Sequence, residues 1–186
     1  AAVSVSAGAN ASCAVSASGN VWCSGSPLNT LVPTQLAGWT GVRQVAVGQM
    51  HTCLLAGDAT VWCWGANGSG QLGNGGTSPS ATPVQVQVEG GAALTGVRAL
   101  QAGLTHTCAA LDDYSTRCWG TNSSAQSGAA AGVATTQATS VAGAVYADQL
   151  ALGGRFSCAY IGEGGQVRCW GLALDGSGNT SPVATS

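Results

Sequence analysis

Apolar and polar residues alternate strictly in four short segments of the chain. The apolar positions are Val3, Val5 and Ala7 in the first segment, then Val45 and Val47, Leu100 and Ala102, and Leu150 and Leu152 in the others. A period of two with one apolar side is typical of a β-strand that buries one face. A glycine follows each segment and permits a turn into a second strand; the four are Gly8, Gly48, Gly103 and Gly153. The pattern therefore predicts the same pair of strands four times.

Cysteines repeat together with these strands. The first cysteine of each copy lies five residues after the glycine, and the second follows ten residues later in three copies and eleven later in the fourth. The residues between them are Asp, Gly and small polar residues, which are typical of hairpin turns, so the two cysteines face each other across a hairpin. Opposed residues of such a pair are close enough for a disulfide. The predicted disulfides are Cys13–Cys23, Cys53–Cys63, Cys108–Cys118 and Cys158–Cys169.

Direct opposition of the cysteines also constrains the length of each turn. An offset of ten residues requires an odd number of turn residues, three or five, whereas an offset of eleven requires an even number. The fourth copy contains Gly162-Glu163-Gly164-Gly165, which suits a turn of two or four residues.

His51 and His106 are candidates for a general base or a metal ligand, because each lies two residues before a cysteine. Zinc sites usually contain closely spaced ligand pairs, which do not occur here, so disulfides are favoured over metal binding. The two histidines occupy equivalent positions of the repeat, which favours a structural role.

The chain has no Gly-x-Ser-x-Gly elbow, phosphate-binding loop or lysine, and its close carboxylate pair, Asp112-Asp113, lies in a hairpin turn. We expect no enzymatic activity, no cofactor and no metal.

Composition narrows the class of protein further. The chain has 186 residues, five Arg, no Lys and a formal net charge of −2, which disfavours nucleic acid as a partner. No stretch approaches the roughly 18 to 20 apolar residues of a membrane helix, so we expect no membrane insertion. Eight regularly spaced cysteines indicate an oxidising compartment, hence a secreted, extracellular or cell-surface protein. No signal peptide is visible at Ala1, so we interpret the sequence as a mature chain or an excised segment.

The second copy has a specific three-part motif. It reads VAVGQMHTCLL at 45–55, VWCWGANGSGQLG at 61–73 and TPV at 82–84. This motif resembles the regulator-of-chromosome-condensation repeat family, whose repeats form the blades of a β-propeller. Trp119-Gly120 and Trp170-Gly171 continue it in the third and fourth copies, whereas the first has Ser24-Gly25.

The resemblance implies an all-β fold, a β-propeller-like array of four antiparallel blade repeats. We expect a single repeat domain, 1–186, with repeats at approximately 1–40, 41–95, 96–144 and 145–186. Familiar members of the family close with seven blades. Three outcomes are therefore open: a segment of a longer propeller, an open arc completed by another subunit, or a compact four-bladed ring.

The recurring tryptophans lie close to the second cysteine of each copy, and the family resemblance implies that they pack between blades. They are Trp22, Trp62, Trp64, Trp119 and Trp170. Stacking on sugars is the alternative role for these side chains.

Four Asn-x-Ser/Thr sequons lie in predicted turns, where a glycan would be exposed. The candidate N-glycosylation sites are Asn10, Asn67, Asn122 and Asn179.

The sequence thus predicts a non-catalytic extracellular structural or interaction module, part of a larger or oligomeric cell-surface, matrix or filament assembly. Its expected partner is a protein or another copy of itself, with possible glycans. One alternative is a secreted protein-binding propeller that resembles a bacterial β-lactamase inhibitor and binds through loops around the ring mouth. Another is a lectin-like carbohydrate-binding domain. Guanine-nucleotide exchange on a nuclear GTPase, the activity for which the family is named, conflicts with the disulfides and the lack of a basic surface.

Overall fold

The protein folds into four separate antiparallel β-sheets. A computed structural model describes residues 1–26, 30–162, 164–172 and 180–185, and these contain sixteen strands and no helix. Each sheet, called a blade here, has four strands in sequence order. Blade 1 contains β1 (Ala2–Ala7), β2 (Ala11–Ser16), β3 (Val21–Gly25) and β4 (Thr30–Gln35). Blade 2 contains β5 (Gln44–Val47), β6 (His51–Leu55), β7 (Val61–Gly65) and β8 (Ser80–Gln85).

The other two blades have the same order. Blade 3 contains β9 (Val97–Ala102), β10 (His106–Leu111), β11 (Thr116–Gly120) and β12 (Thr135–Ser140). Blade 4 contains β13 (Ala147–Leu152), β14 (Phe156–Ile161), β15 (Gln166–Leu172) and β16 (Thr180–Thr185). The predicted fold class, an all-β array of four antiparallel blades, is therefore confirmed.

Each blade has one disulfide between its two middle strands, as the cysteine spacing predicts. The paired cysteines are directly opposed in the strand register, with Cα atoms 4.0 to 4.2 Å apart. The last opposed pair before the turn is Val15–Val21 in blade 1 and Ile161–Gln166 in blade 4. The turn therefore has five residues in blade 1 and four in blade 4, and the predicted odd and even lengths are correct.

The hydrophobic core lies between the blades, in three clusters that each join two consecutive blades. In every cluster, the disulfide of one blade packs with a tryptophan of the next blade, the one that directly follows the second cysteine. Cys13–Cys23 packs with Trp64, Cys53–Cys63 with Trp119, and Cys108–Cys118 with Trp170. A blade thus has two different faces, a disulfide face towards its successor and a tryptophan face towards its predecessor. We call the contact between two consecutive blades a joint.

The glycine after the first strand of a blade has no room for a Cβ atom, because of the next blade at Gly8, Gly48 and Gly103 and because of the Phe156 ring of the same blade at Gly153. A Cβ atom on Gly103 would lie 2.5 Å from the carbonyl oxygen of Gly153, and one on Gly48 would lie 2.8 Å from that of Gly103. Both distances are shorter than real Cβ contacts, so a larger residue would force the blades apart. This explains why glycine recurs five residues before the first cysteine.

The array of blades is open. The three core clusters join blade 1 to blade 2, blade 2 to blade 3 and blade 3 to blade 4, and within the described residues none joins blade 4 to blade 1. Among the described residues, no other blade therefore packs on the tryptophan face of blade 1 or on the disulfide face of blade 4. Of the three outcomes left open by the sequence, the compact four-bladed ring is not the one observed.

Candidate functional site

The tryptophan face of blade 1 is an exposed apolar surface. We call it the N-terminal end face and define it by Val3, Val5, Ala14, Trp22 and Ser24. Val5 is 72% exposed, whereas Val45, which occupies the same position in blade 2, is 2% exposed because blade 1 covers it. Ser24 stands where blades 2 to 4 have a buried tryptophan, so this face lacks the largest side chain of the inner joints.

The disulfide face of blade 4 is the second uncovered surface. This C-terminal end face comprises Ala151, Cys158, Tyr160, Val167 and Cys169. Tyr160 and Val167 are 40% and 54% exposed, but their counterparts in blade 2, Leu55 and Val61, are buried under blade 3. The two end faces are therefore of the two kinds that meet at each inner joint.

Polar residues of the inner strands form hydrogen bonds across the joints. Gln44 donates from Nε2 to the Leu100 carbonyl oxygen at 2.7 Å and accepts at Oε1 from the Leu100 N–H at 3.0 Å. Ser6 Oγ accepts from the Val47 N–H at 2.9 Å. The sequence pattern did not predict this role, because alternation indicates only that these side chains point away from the apolar side.

Gln149 occupies the position of Gln44 in blade 4. Its side chain is exposed, and no hydrogen-bond partner for it lies among the described residues. The C-terminal end face therefore presents the same amide that binds the neighbouring backbone at the joint between blades 2 and 3.

The two histidines also lie at joints. His51 Nε2 is 2.8 Å from Thr107 Oγ1, and His106 Nε2 is 2.8 Å from Ser157 Oγ. Burial lowers the pKa of both imidazoles from 6.5 to about 4, and for His106 the charge of His51 lowers it further. Both rings are therefore neutral at pH 7 and hold blades together, in agreement with the structural role predicted for them.

Three of the tryptophans pack between blades as the resemblance implied. Trp64, Trp119 and Trp170 are each at most 2% exposed. The Nε1–H groups of Trp119 and Trp170 donate to the carbonyl oxygens of Gln71 and Gln126, both at 3.0 Å. Their faces are not available to a sugar. Trp62 is half-buried against Trp39, with ring centroids 5.4 Å apart.

Trp22 is 41% exposed because the N-terminal end face is open. It is the equivalent of Trp62, which blade 1 and the nearby Trp39 partly cover. Its exposure therefore results from the missing neighbour and is not evidence for a sugar site.

A depression of about 450 Å³ lies on the axis of the arc, where the first turns of all four blades meet. Its lining includes Gly48, Gln49, Gly103, Leu104 and Gly153. Leu104 is about half-exposed, so the mouth has an apolar side chain. Exposed aromatic residues around the mouth would favour the alternative of a protein-binding propeller that resembles a β-lactamase inhibitor. The described residues that line the depression include no aromatic residue.

The sequons lie in very different surroundings. Asn10 is exposed. Asn67 is 1% exposed, and its Nδ2 donates to the carbonyl oxygens of Gly76 and Ser78, both at 3.0 Å. Asn122 is equally buried, and its Nδ2 donates to the Ala130 carbonyl oxygen at 2.8 Å. The expectation of exposed sequons is thus not met at Asn67 and Asn122, while Asn179 lies outside the described residues.

Two other kinds of site are absent from the described residues. No group of three or more His, Cys, Asp or Glu side chains is arranged to hold a metal ion. Among the described residues, no helix has the length and apolar character needed to cross a membrane.

Disulfide-bonded blades stacked face to face define a β-propeller-type repeat protein. A profile described as "Regulator of chromosome condensation (RCC1) repeat" matches residues 58–110, and a second profile of the same description matches 2–30 and 42–71. The chain therefore belongs to the RCC1 repeat family. A curated relative, the ultraviolet-B receptor UVR8 of Arabidopsis thaliana, is 33% identical over 97 residues, which are 51% of this chain and 21% of the relative.

Solved structures show the same fold at lower sequence identity. Human WBSCR16 superposes with a TM-score of 0.83 at 22% identity, over 100% of this chain and 53% of that chain. Yeast Prp20p, in a structure reported with its binding properties to Gsp1p and histones, gives 0.79 at 20% identity over 99% and 51%. The CRINKLY WD40 ectodomain of the Arabidopsis thaliana receptor kinase ACR4 gives 0.52 at 24% identity over 96% and 51%. The chain spans about half the length of these neighbours.

Proposed function

We propose that this chain is a non-catalytic extracellular interaction module that works within a larger or oligomeric assembly, with both end faces covered by further propeller blades. The uncovered end faces are the observation that carries the proposal. They present Val5 and Trp22 at one end and Tyr160 and Val167 at the other, in positions that are buried or half-buried at the inner joints. Exposed apolar patches of this kind mark interaction surfaces, and open repeat arrays need capping or pairing.

The chemistry of the two faces indicates what covers them. At each inner joint a disulfide face receives a tryptophan face, and at the joint between blades 2 and 3 the backbone of Leu100 also binds the side chain of Gln44. The C-terminal end face has a disulfide and the exposed Gln149, so a blade with a tryptophan face is its expected occupant. Such a blade is supplied by the same polypeptide or by another copy.

Three further observations support the extracellular and non-catalytic parts of the proposal. Four disulfides are typical of oxidising compartments. One structural neighbour is a receptor-kinase ectodomain, and another is described as binding other proteins. Histidine is the side chain whose ordinary pKa best suits acid–base chemistry near pH 7. Both histidines here are buried at joints, and their Nε2 atoms form hydrogen bonds.

Hydroxyl-radical footprinting of the purified native protein, compared with the isolated 186-residue chain at low micromolar concentration, tests the assembly. We expect Trp22 and Tyr160 to be labelled more slowly in the native protein, because further blades cover both end faces. Met50 is the control, since it is 54% exposed and lies on neither end face. Equal labelling rates at Trp22 and Tyr160 in the two samples would overturn the proposal.

A further inference from the structure

Two tyrosines from different blades stack on the protein surface. Tyr114 lies in the turn between β10 and β11, and Tyr146 lies just before β13, so the pair connects blades 3 and 4. Their ring centroids are 4.9 Å apart and their planes are tilted by 35°. The Tyr146 N–H donates to the Tyr114 carbonyl oxygen at 2.8 Å. Both side chains are about half-exposed.

The backbone at these two positions does not favour tyrosine. Equivalent residues at the other joints are Gly19 with Gly41, and Ala59 with Gly96, and all of these positions have φ between 60° and 75°. Tyr114 and Tyr146 have φ of 66° and 60°, in the left-handed region that disfavours residues with a Cβ atom. Two large side chains held in an unfavourable conformation, and not buried, point to a role outside folding.

The surroundings of the pair carry negative charge. Asp112 and Asp113 belong to the same turn as Tyr114 and are exposed, and the half-exposed Asp148 follows Tyr146 by two residues. Two cations lie nearby, and both are engaged. The Arg98 guanidinium donates to the carbonyl oxygens of Leu111 and Ala147 and lies 3.6 Å from Asp148. Arg117, whose charge acts on Asp113, donates to the Ala138 carbonyl oxygen at 3.5 Å. The exposed tyrosine faces and the carboxylates of Asp112 and Asp113 are therefore together available to a further cation.

We propose that Tyr114 and Tyr146 form a binding site for an arginine or lysine side chain of a protein partner. The negative faces of aromatic rings attract cations, and a guanidinium also stacks on them. The carboxylates of the turn add long-range attraction for a basic segment. This site lies at the joint between blades 3 and 4, away from both end faces, so it does not depend on whether those faces are covered.

The test titrates the folded chain with a tetra-arginine peptide and with its tetra-citrulline counterpart, which has nearly the same shape and no charge. Ring-proton NMR signals of the tyrosines report binding at the site. The diagnostic variant is Tyr146→Gly, which restores the residue found at Gly41 and Gly96 and so preserves the backbone conformation. Tyr160→Ala is the matched control, because Tyr160 is similarly exposed but lies on the C-terminal end face.

The arginine peptide is expected to shift the Tyr114 and Tyr146 signals of the wild type. It should bind Tyr146→Gly at least about fivefold more weakly than the wild type, and the citrulline peptide should bind the wild type at least about fivefold more weakly than the arginine peptide does. Tyr160→Ala should bind the arginine peptide like the wild type. Undiminished binding to Tyr146→Gly, equal binding of the citrulline peptide, or absence of tyrosine shifts would overturn the proposal. Shifts of the same signals by maltohexaose or chitohexaose, and not by the arginine peptide, would overturn it in favour of a sugar site.

Discussion

His106 Nε2 lies 2.8 Å from Ser157 Oγ across the joint between blades 3 and 4. The same hydroxyl donates its one proton to the Gln126 carbonyl oxygen at 2.9 Å, so it must accept a hydrogen bond from the imidazole. His106 is therefore the tautomer with hydrogen on Nε2, and its buried Nδ1 has no hydrogen-bond partner among the described residues. Protonation at Nδ1 would place an unpaired charge inside the joint, which gives the fold a dependence on pH.

The free energy of unfolding should fall as the pH is lowered from about 6.5 to about 4. Burial lowers the pKa of His51 and His106 to about 4 in the folded state, while the unfolded chain takes up protons near 6.5. Their contribution is therefore complete above pH 6.5 and is lost towards pH 4, by about 3 kcal/mol for each histidine. Hydrogen bonds from Thr60 and Ser115 lower the pKa of Asp58 and Asp113 below 3.8, so these carboxylates change the stability mainly below pH 4 and contribute little in this range.

Urea unfolding measured at pH 7.5, 6, 5 and 4 checks this dependence. The variant His106→Phe copies the residue at the equivalent position of blade 4, Phe156, and should lose about half of the pH dependence. A pH profile identical to that of the wild type would show that His106 titrates normally in the folded protein.

Gly103→Ala should destabilise the protein by about 1–3 kcal/mol, because the added methyl group overlaps atoms of the next blade and of its own blade. A Cβ atom there would lie 2.5 Å from the Gly153 carbonyl oxygen and 2.5 Å from Cε1 of His106. Gly76→Ala is the control, since its nearest contact is Asn74 Oδ1 at 3.8 Å. Thermal unfolding should give the control within about 0.5 kcal/mol of the wild type, and an equal effect of both substitutions would contradict the close-contact explanation.

Much of the fold could be predicted because it is encoded by local spacing. The offset between Cys158 and Cys169 determines an even turn, and the opposed cysteines determine the hairpin register. The alternation around Val45 and Val47 predicts a strand but not its full burial, because both faces of β5 are covered by other blades. Contacts between blades depend on residues about fifty positions apart, which a local pattern does not specify.

The candidate surfaces were less predictable for the same reason. The Tyr114–Tyr146 pair requires knowledge of how blades 3 and 4 dock, although aligning Tyr146 with Gly41 and Gly96 would have marked it as unusual. The burial of Asn67 was also hidden, because its amide partners, Gly76 and Ser78, lie in an irregular loop with no periodic signal.

In the isolated 186-residue chain, whose end faces are open, the four disulfides should differ in their rate of reduction under native conditions. Cys158–Cys169 lies on the uncovered end face and is partly exposed, whereas Cys53–Cys63 is fully buried at an inner joint. Reductants need access to sulfur, so Cys158–Cys169 should be reduced first. Differential alkylation with peptide mapping after brief treatment with dithiothreitol measures the order, and earlier labelling of Cys53 and Cys63 would be inconsistent with open end faces. Eight thiols should appear only after full reduction of the unfolded chain.

Asn10 should be the glycosylated residue among the described sequons when the chain is secreted from a eukaryotic host. Its side chain is exposed, whereas the Asn67 amide is enclosed by hydrogen bonds that a glycan would break. In an Asn179→Gln background, Asn10→Gln should abolish the mass released by a peptide N-glycosidase. Asn67→Gln should leave that mass unchanged and lower the free energy of unfolding by about 1–3 kcal/mol, because buried partners such as the Leu72 N–H lose their acceptor. Loss of glycan mass in Asn67→Gln, with undiminished stability, would mean that this loop folds around a glycan and not around the asparagine amide.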